Sequence, residues 1–118
     1  MKRQVLSILV ENTAGVTSRI SGLFSRRRYN IDSFSSGVTA DPRFTRITIV
    51  TSGDELVLEQ IEKQLNKKLD VIKVKTLSQE QCYTRELMLL KVKYNKNNRR
   101  DIIEICDIMK TEIVDMSK

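Results

Sequence analysis

The residues with the most capacity for ligand chemistry are Glu11-Asn12-Thr13-Ala14-Gly15, set between a strand-like run and an apolar periodicity of helical spacing. That placement puts Asn12 and Gly15 at the turn before a helix N-terminus, where unpaired amide N–H groups and partial positive charge suit a carboxylate. Gly15 lacks a Cβ and lets a ligand approach the backbone, and the Asn12 amide can both donate and accept hydrogen bonds. The same residue types also make an ordinary turn and helix cap, so local chemistry leaves both readings open.

Catalytic chemistry is poorly supplied. The chain contains no histidine, which removes the usual general base near neutral pH, the histidine-dependent nucleophile triads and most zinc sites. Its two cysteines, Cys82 and Cys106, are too far apart for a C-x-x-C motif and too few for a disulfide framework, and they read as small apolar residues in a reducing compartment. Asp54, Glu55, Glu59 and Glu62 fit a helix start and a solvated helix face rather than an acid–base pair. Neither a Gly-x-Gly-x-x-Gly nor a Walker sequence occurs. No catalytic residue and no metal site is assigned.

Charge makes nucleic acid worth weighing. Lys and Arg number 21 against 15 Asp and Glu, a net +6, and the excess falls before Ser78. There it gathers at Arg26-Arg27-Arg28 and Lys67-Lys68, at the ends of predicted helices, where cations complement the helix dipole. Aromatics are few, with three Phe, three Tyr and no Trp, and the expected third strand reads Arg46-Ile47-Thr48-Ile49-Val50. That strand offers no aromatic platform on which bases could stack.

The elements that position the turn follow from periodicity. At 118 residues the chain has room for one ordinary domain, or one small domain and part of another. Gln4–Val10 predicts a largely buried strand, with Leu6, Ile8 and Val10 on one face and Val5, Ser7 and Leu9 on the other, in a sheet covered on both sides. Val16, Ile20, Leu23 and Phe24 predict a helix running to about Arg27. Asn30–Val38, turning at Ala40-Asp41-Pro42-Arg43 into Phe44–Thr51, predicts an antiparallel hairpin with Ile31, Ser33 and Ser35 opposite Phe34, Ser36 and Val38. Ser52 at N-cap and Glu55 at N3 fit a capping box before the stripe Val57, Leu58, Ile61 and Leu65. Asp70–Leu77 predicts a last strand with Ile72, Val74 and Thr76 inward against Lys73 and Lys75.

This order, βαββαβ, is the α+β ferredoxin-like arrangement and occupies residues 1–78. A polar linker, 79–82, leads into a partial second unit over 83–118. That unit is expected to be β-α-β: an alternating strand from Arg85 to Tyr94, a helix capped by Asn97-Asn98 with Ile102, Ile105, Cys106 and Met109 on one face, and a strand from Glu112 to Met116. No apolar run approaches the roughly 20 residues that cross a bilayer. The basic start Met1-Lys2-Arg3 leads into strand alternation rather than a signal-peptide core, so the expected address is cytoplasmic, with no membrane.

The blocks Val5-Leu6-Ser7-Ile8-Leu9-Val10-Glu11-Asn12-Thr13-Ala14-Gly15, Gly22-Leu23-Phe24-Ser25-Arg26-Arg27-Arg28-Tyr29-Asn30-Ile31 and Leu58-Glu59-Gln60-Ile61-Glu62-Lys63-Gln64-Leu65-Asn66-Lys67 resemble the regulatory small subunit of acetolactate synthase, also called acetohydroxyacid synthase. The resemblance covers an ACT domain over residues 1–78 and continues through Arg85-Glu86-Leu87-Met88-Leu89 into the family's second domain. It implies a non-catalytic subunit that activates the catalytic large subunit of branched-chain amino-acid biosynthesis and confers feedback inhibition by valine. Thiamine diphosphate, FAD and Mg²⁺ would belong to that partner. Family effector positions map onto Asn12, Gly15, Val16, Asn30 and Ile31, shared across a homodimer or a higher homo-oligomer. Two departures stand out: the family usually has Gly where Arg28 precedes Tyr29, a helix-ending position favouring a left-handed conformation, and the second domain is shorter than the family's. The expectation is therefore a regulatory amino-acid-binding module, ahead of another ACT-domain sensor, a ferredoxin-like nucleic-acid binder and a small enzyme.

Overall fold

In the computed structural model, which describes residues 1–117, β1 (Lys2–Glu11) lies at the centre of a four-stranded antiparallel sheet. After it come α1 (Val16–Arg26), β2 (Ser33–Val38), β3 (Phe44–Gly53), α2 (Glu55–Asn66) and β4 (Val71–Leu77). The strand order is β2-β3-β1-β4, the ferredoxin-like α+β arrangement predicted from the sequence. Leu6, Ile8 and Val10 of β1 face Ile47 and Ile49 of β3 and the apolar stripes Val16, Ile20, Leu23 and Phe24 of α1 and Leu58, Ile61 and Leu65 of α2, and all twelve are buried.

Neither helix of the first unit, Met1–Thr84, lies on the other sheet face. Val5 and Leu9 are half-buried there, and Ser7 is closed off by Arg46, whose guanidinium Nη1 donates to its Oγ at 2.7 Å. Within the first unit the predicted cover on both sides is thus present on one side only.

Several local expectations are corrected. Helix α2 is capped by Asp54, extended at φ −73° and ψ 170°, whose Oδ1 accepts from the Val57 amide at 2.8 Å. Ser52 instead stays in β3 opposite Arg3, and its hydroxyl donates to Asp32 Oδ2. The carboxylate nearer the helix caps it better, because it adds charge at the positive end of the dipole.

In β4 the register shifts between Leu9 and Val10, so that Val10 faces Val71 and Leu9 faces Lys73, leaving Ile72 as the extra residue. This bulge puts Val71 and Val74 against the core and leaves the Ile72 side chain 50% exposed, where plain alternation had placed it inward. β2 begins at Ser33 rather than Asn30. Asn30 and Asp32 bond each other through their side chains, while Thr51 Oγ1 donates to Asn30 O at 2.6 Å and the Asp32 amide to Val50 O at 2.8 Å, so this stretch is tied to β3 by single bonds before the regular ladder begins. Ile31, freed from the alternation, packs on the core.

Contacts divide the chain into two units, the first ending at Thr84. From Arg85 onward, α3 (Arg99–Ile108) is flanked by segments that pair with no strand among the described residues. The two predicted tail strands are therefore absent. The first unit shows why: its β1 and β2 do not touch, and β3 lies between them and pairs with both. A β-α-β half of that topology lacks the strand that would join its two edges, and a strand without a ladder partner gains no hydrogen bonds. One side-chain bond, Tyr94 Oη to Ser117 O at 3.0 Å, links the segments. Entry to α3 is organised by Asn95, whose Oδ1 accepts from the amides of Asn97 and Asn98, while Asn98 Oδ1 accepts from the Asn95 amide. Ile102 and Cys106 are half-buried, and Ile105 and Met109 are exposed.

The end of α1 explains the Arg28 departure. Tyr29 N donates to Phe24 O at 2.9 Å and Arg28 N to Ser25 O at 3.1 Å, and the Phe24 and Tyr29 rings meet edge-on at 6.1 Å. These are the two bonds and the apolar contact of a Schellman ending, with Arg28 at the left-handed position, φ 57°. A left-handed conformation costs a non-glycine residue about 1–2 kcal/mol, part of which glycine returns through its greater freedom when unfolded. Arg28→Gly is expected to stabilise the domain by about 0.5–1 kcal/mol and raise its melting temperature by roughly 2–6 °C in a thermal melt.

Candidate effector site

The strand-to-helix turn owes its shape to Gly15, at φ 82° the N-cap of α1. No side chain caps this helix and its first turn holds no acidic residue, so the amide donors that a cap would satisfy face outward. A Cβ on Gly15 would lie 3.0 Å from Arg19 Nη1. Arg19 reaches back over the turn, pairing through Nε with Asp70 Oδ2 at 2.6 Å and donating through Nη2 to Ala14 O at 3.4 Å. This ion pair ties α1 to the start of β4.

Asn12 fastens the other side. Its backbone amide donates to Arg43 O at 2.8 Å, its Nδ2 to Pro42 O at 2.9 Å, and its Oδ1 accepts from Thr45 Oγ1 at 3.0 Å. One amide hydrogen and one lone pair of the side chain are left for a ligand. The hairpin turn that receives these bonds is itself braced by Asp41 and Arg43, paired at 2.7 Å, and the Arg43 guanidinium holds the Asp41 carboxyl below the usual carboxylate range.

Beside this turn lies a cavity of about 230 Å³, lined by Asn12, Thr13, Val16 and Thr17 on one side and by Gly37, Val38 and Thr45 on the other, with Glu11 at its edge. Val16 is buried at its floor. Backbone amides, one carboxylate and an apolar wall provide for the two charged ends and the side chain of a small amino acid.

The structure brings Asn12, Gly15 and Val16 together and does not bring Asn30 and Ile31 to them. Asn12 stands beyond the Val38 end of β2, at the Pro42 turn, whereas Asn30 precedes its Ser33 end and is bonded to Thr51. The six residues of β2, about 17–20 Å of strand, separate the two groups within one chain. Arg19, Asp70 and Thr45 were not singled out from the sequence; apart from Arg19's spacing of four from Gly15, only the three-dimensional pairing of distant segments reveals them.

The sheet order, the two helices on one face and the glycine-shaped turn define an ACT domain. Residues 6–73 match the family model of the acetolactate synthase small subunit-like ACT domain, and residues 85–118 match that of the small subunit of acetolactate synthase. The chain belongs to the acetolactate synthase small-subunit family. It is 45% identical over 115 residues to the acetolactate synthase isozyme 3 small subunit of Salmonella typhimurium, covering 98% of this chain and 71% of that one. The crystal structure of the acetolactate synthase small subunit from Thermotoga maritima superposes with a TM-score of 0.83 at 29% identity, over 99% of this chain and 73% of that one. The ACT domain from the GTP pyrophosphokinase of Chlorobium tepidum shares the fold, with a TM-score of 0.56 at 22% identity over 73% of this chain and 97% of that one. Among the described residues no helix is long and apolar enough to cross a membrane, and no group of three or more acidic or cysteine side chains could hold a metal ion.

Gly15→Ala places a methyl group in the left-handed region against Arg19. It is expected to lower stability by about 1–2 kcal/mol in urea denaturation.

Proposed function

We propose that this chain is the regulatory small subunit of an acetolactate synthase, without catalytic activity of its own, and that it activates a catalytic large subunit and makes it sensitive to valine. The observation that carries the reading is the uncapped first turn of α1 behind left-handed Gly15, opening on a cavity sized for a small amino acid. A carboxylate would sit on the open amides, polar contacts would come from Asn12, and Val16 and Val38 would meet the aliphatic side chain. Isoleucine and leucine fit the same chemistry, because one methylene changes affinity by only about 1–3 kcal/mol.

The separation of Asn30 and Ile31 from the turn supports a two-chain site. A dimer joined along the exposed β2 edge would bring the Asn30 end of one copy toward the Asn12 end of the other, and it would cover an edge strand that is otherwise open to unwanted pairing. Thiamine diphosphate, FAD and Mg²⁺ are assigned to the catalytic partner, where they supply the carbon–carbon bond chemistry. Residues of this chain sense and transmit.

Reconstitution tests the reading. Mixed with the cognate catalytic subunit, the chain is expected to raise acetolactate formation and render it inhibitable by valine, and alone to consume no pyruvate. Valine at about 100 times its Kd is expected to stabilise the chain by about 2.7 kcal/mol in a thermal shift. A thermal response without activation would point to an amino-acid sensor serving another enzyme; turnover of pyruvate by the chain alone would overturn the non-catalytic assignment.

A further inference from the structure

The sheet face away from α1 and α2 has a charge pattern that the effector site does not use. Alternation assigns to it Arg3, Val5, Ser7 and Leu9 of β1, Arg46, Thr48 and Val50 of β3, Ser33 and Ser35 of β2, and Lys73, Lys75 and Leu77 of β4. The pairing sets these residues in rows. Leu9 stands between Arg46 and Lys73, Ser7 between Thr48 and Lys75, and Val5 between Val50 and Leu77. Two strand spacings, about 10 Å, therefore separate Arg46 from Lys73.

Val5, Val50 and Leu77 are half-buried and form one apolar row, Leu9 is half-buried beyond the row of Ser7, Thr48 and Lys75, and Arg3, Arg46, Lys73 and Lys75 stand around these apolar side chains. None of these four cations makes an ion pair among the described residues. The carboxylates on the face lie at its two ends, Glu11 opposite Phe44 and Asp32 bonded to Ser52 across from Arg3. The bulge at Ile72 falls before Lys73, so it brings Val71 inside and leaves Lys73 and Lys75 on the open face.

We infer that this face is a docking surface for an acidic protein surface that also carries apolar side chains, presented, if the function proposed above holds, by the catalytic subunit. The inference rests on that reading for the identity of the partner, and on charge and burial for the location. A second copy does not fit, because it would set the same cations against one another, and like charges across an interface cost several kcal/mol. Nucleic acid fits less well than protein: it would satisfy the cations but leave Val5, Leu9, Val50 and Leu77 uncovered, and the face has Phe44 alone for stacking, at its rim. The cavity beside α1 is lined mostly by residues of the helix side and meets this face only at Glu11 and Gly37, away from Lys73 and Lys75, so a partner could sit here while the amino acid binds.

The test is direct binding of the full chain to immobilised cognate catalytic subunit, across a salt series, for wild type, Lys73→Glu with Lys75→Glu, Lys73→Arg with Lys75→Arg, and Lys67→Glu on α2 as an off-face control. The glutamate pair is expected to weaken binding at least tenfold and to flatten its salt dependence, while the arginine pair and Lys67→Glu stay within about twofold of wild type. The valine thermal shift of the glutamate pair is expected to equal that of wild type, which shows that it is folded and keeps its effector site. Equal binding by the glutamate pair and wild type would overturn the docking inference while leaving the regulatory function standing. No wild-type binding to the catalytic subunit would overturn the docking inference, and with no activation either it would end the regulatory reading too. Tight wild-type binding to random-sequence RNA or DNA at physiological salt, lost in the glutamate pair, would reassign the face to nucleic acid and overturn the inference as stated.

Discussion

Everything in the first unit hangs on the burial of β1. It pairs on both sides, with β3 along its whole length and with β4 through Val5–Val10, and its inward residues Leu6, Ile8 and Val10 are at most 1% exposed. Each such side chain is worth about 1.5–3 kcal/mol of burial, and each also fixes register, since a slip of one residue would turn all three outward. The consequence reaches the functional end of the molecule. Because β1 is locked between two neighbours, the residues that follow it, Asn12 to Gly15, leave the sheet at one defined place.

That place needs a sharp change of direction from a central strand to a helix lying on the same sheet. Gly15 makes the turn in a conformation that side chains resist, Asn12 ties it to the hairpin at Pro42 and Thr45, and Arg19 ties the helix to Asp70. With those groups engaged in holding the turn, no side chain caps the helix. An open helix terminus beside a small cavity is thus a by-product of how the turn is fastened, and it suits a carboxylate ligand. Asn30 is held equally firmly, by Thr51 and Asp32, at the opposite end of β2. A site that uses both ends requires two chains.

Much of this could be read from residue types alone. The period-two run at Leu6, Ile8 and Val10 and the helical stripes at Ile20, Leu23, Phe24, Leu58, Ile61 and Leu65 are the buried core, because burial of apolar faces is what periodicity encodes. The misses share a different physics. The bulge at Ile72 depends on how β4 meets β1, the cap at Asp54 on a competition between Ser52 and Asp54 settled by strand pairing, and the missing tail strands on the absence of a ladder partner. In each case a neighbour distant in sequence decides. For the candidate site, Gly15 and Asn12 announced the turn by their chemistry, whereas Arg19, Asp70 and Thr45 meet them only through folding.

The central claim is that the amino-acid site is shared between two copies of this chain, Asn12 and Gly15 from one and Asn30 from the other. Its most direct test is titration of valine into Gly15→Asp, into Asn30→Ala, and into an equimolar mixture of the two after subunit exchange. Each variant alone has both shared sites damaged; a mixed dimer carries both lesions in one site and none in the other. The account predicts negligible binding by either variant alone and recovery in the mixture of about a quarter of the wild-type sites at wild-type affinity, since random exchange makes half the dimers mixed. A mixture that binds no more valine than its components would contradict a shared site, as would full-affinity binding by Asn30→Ala on its own.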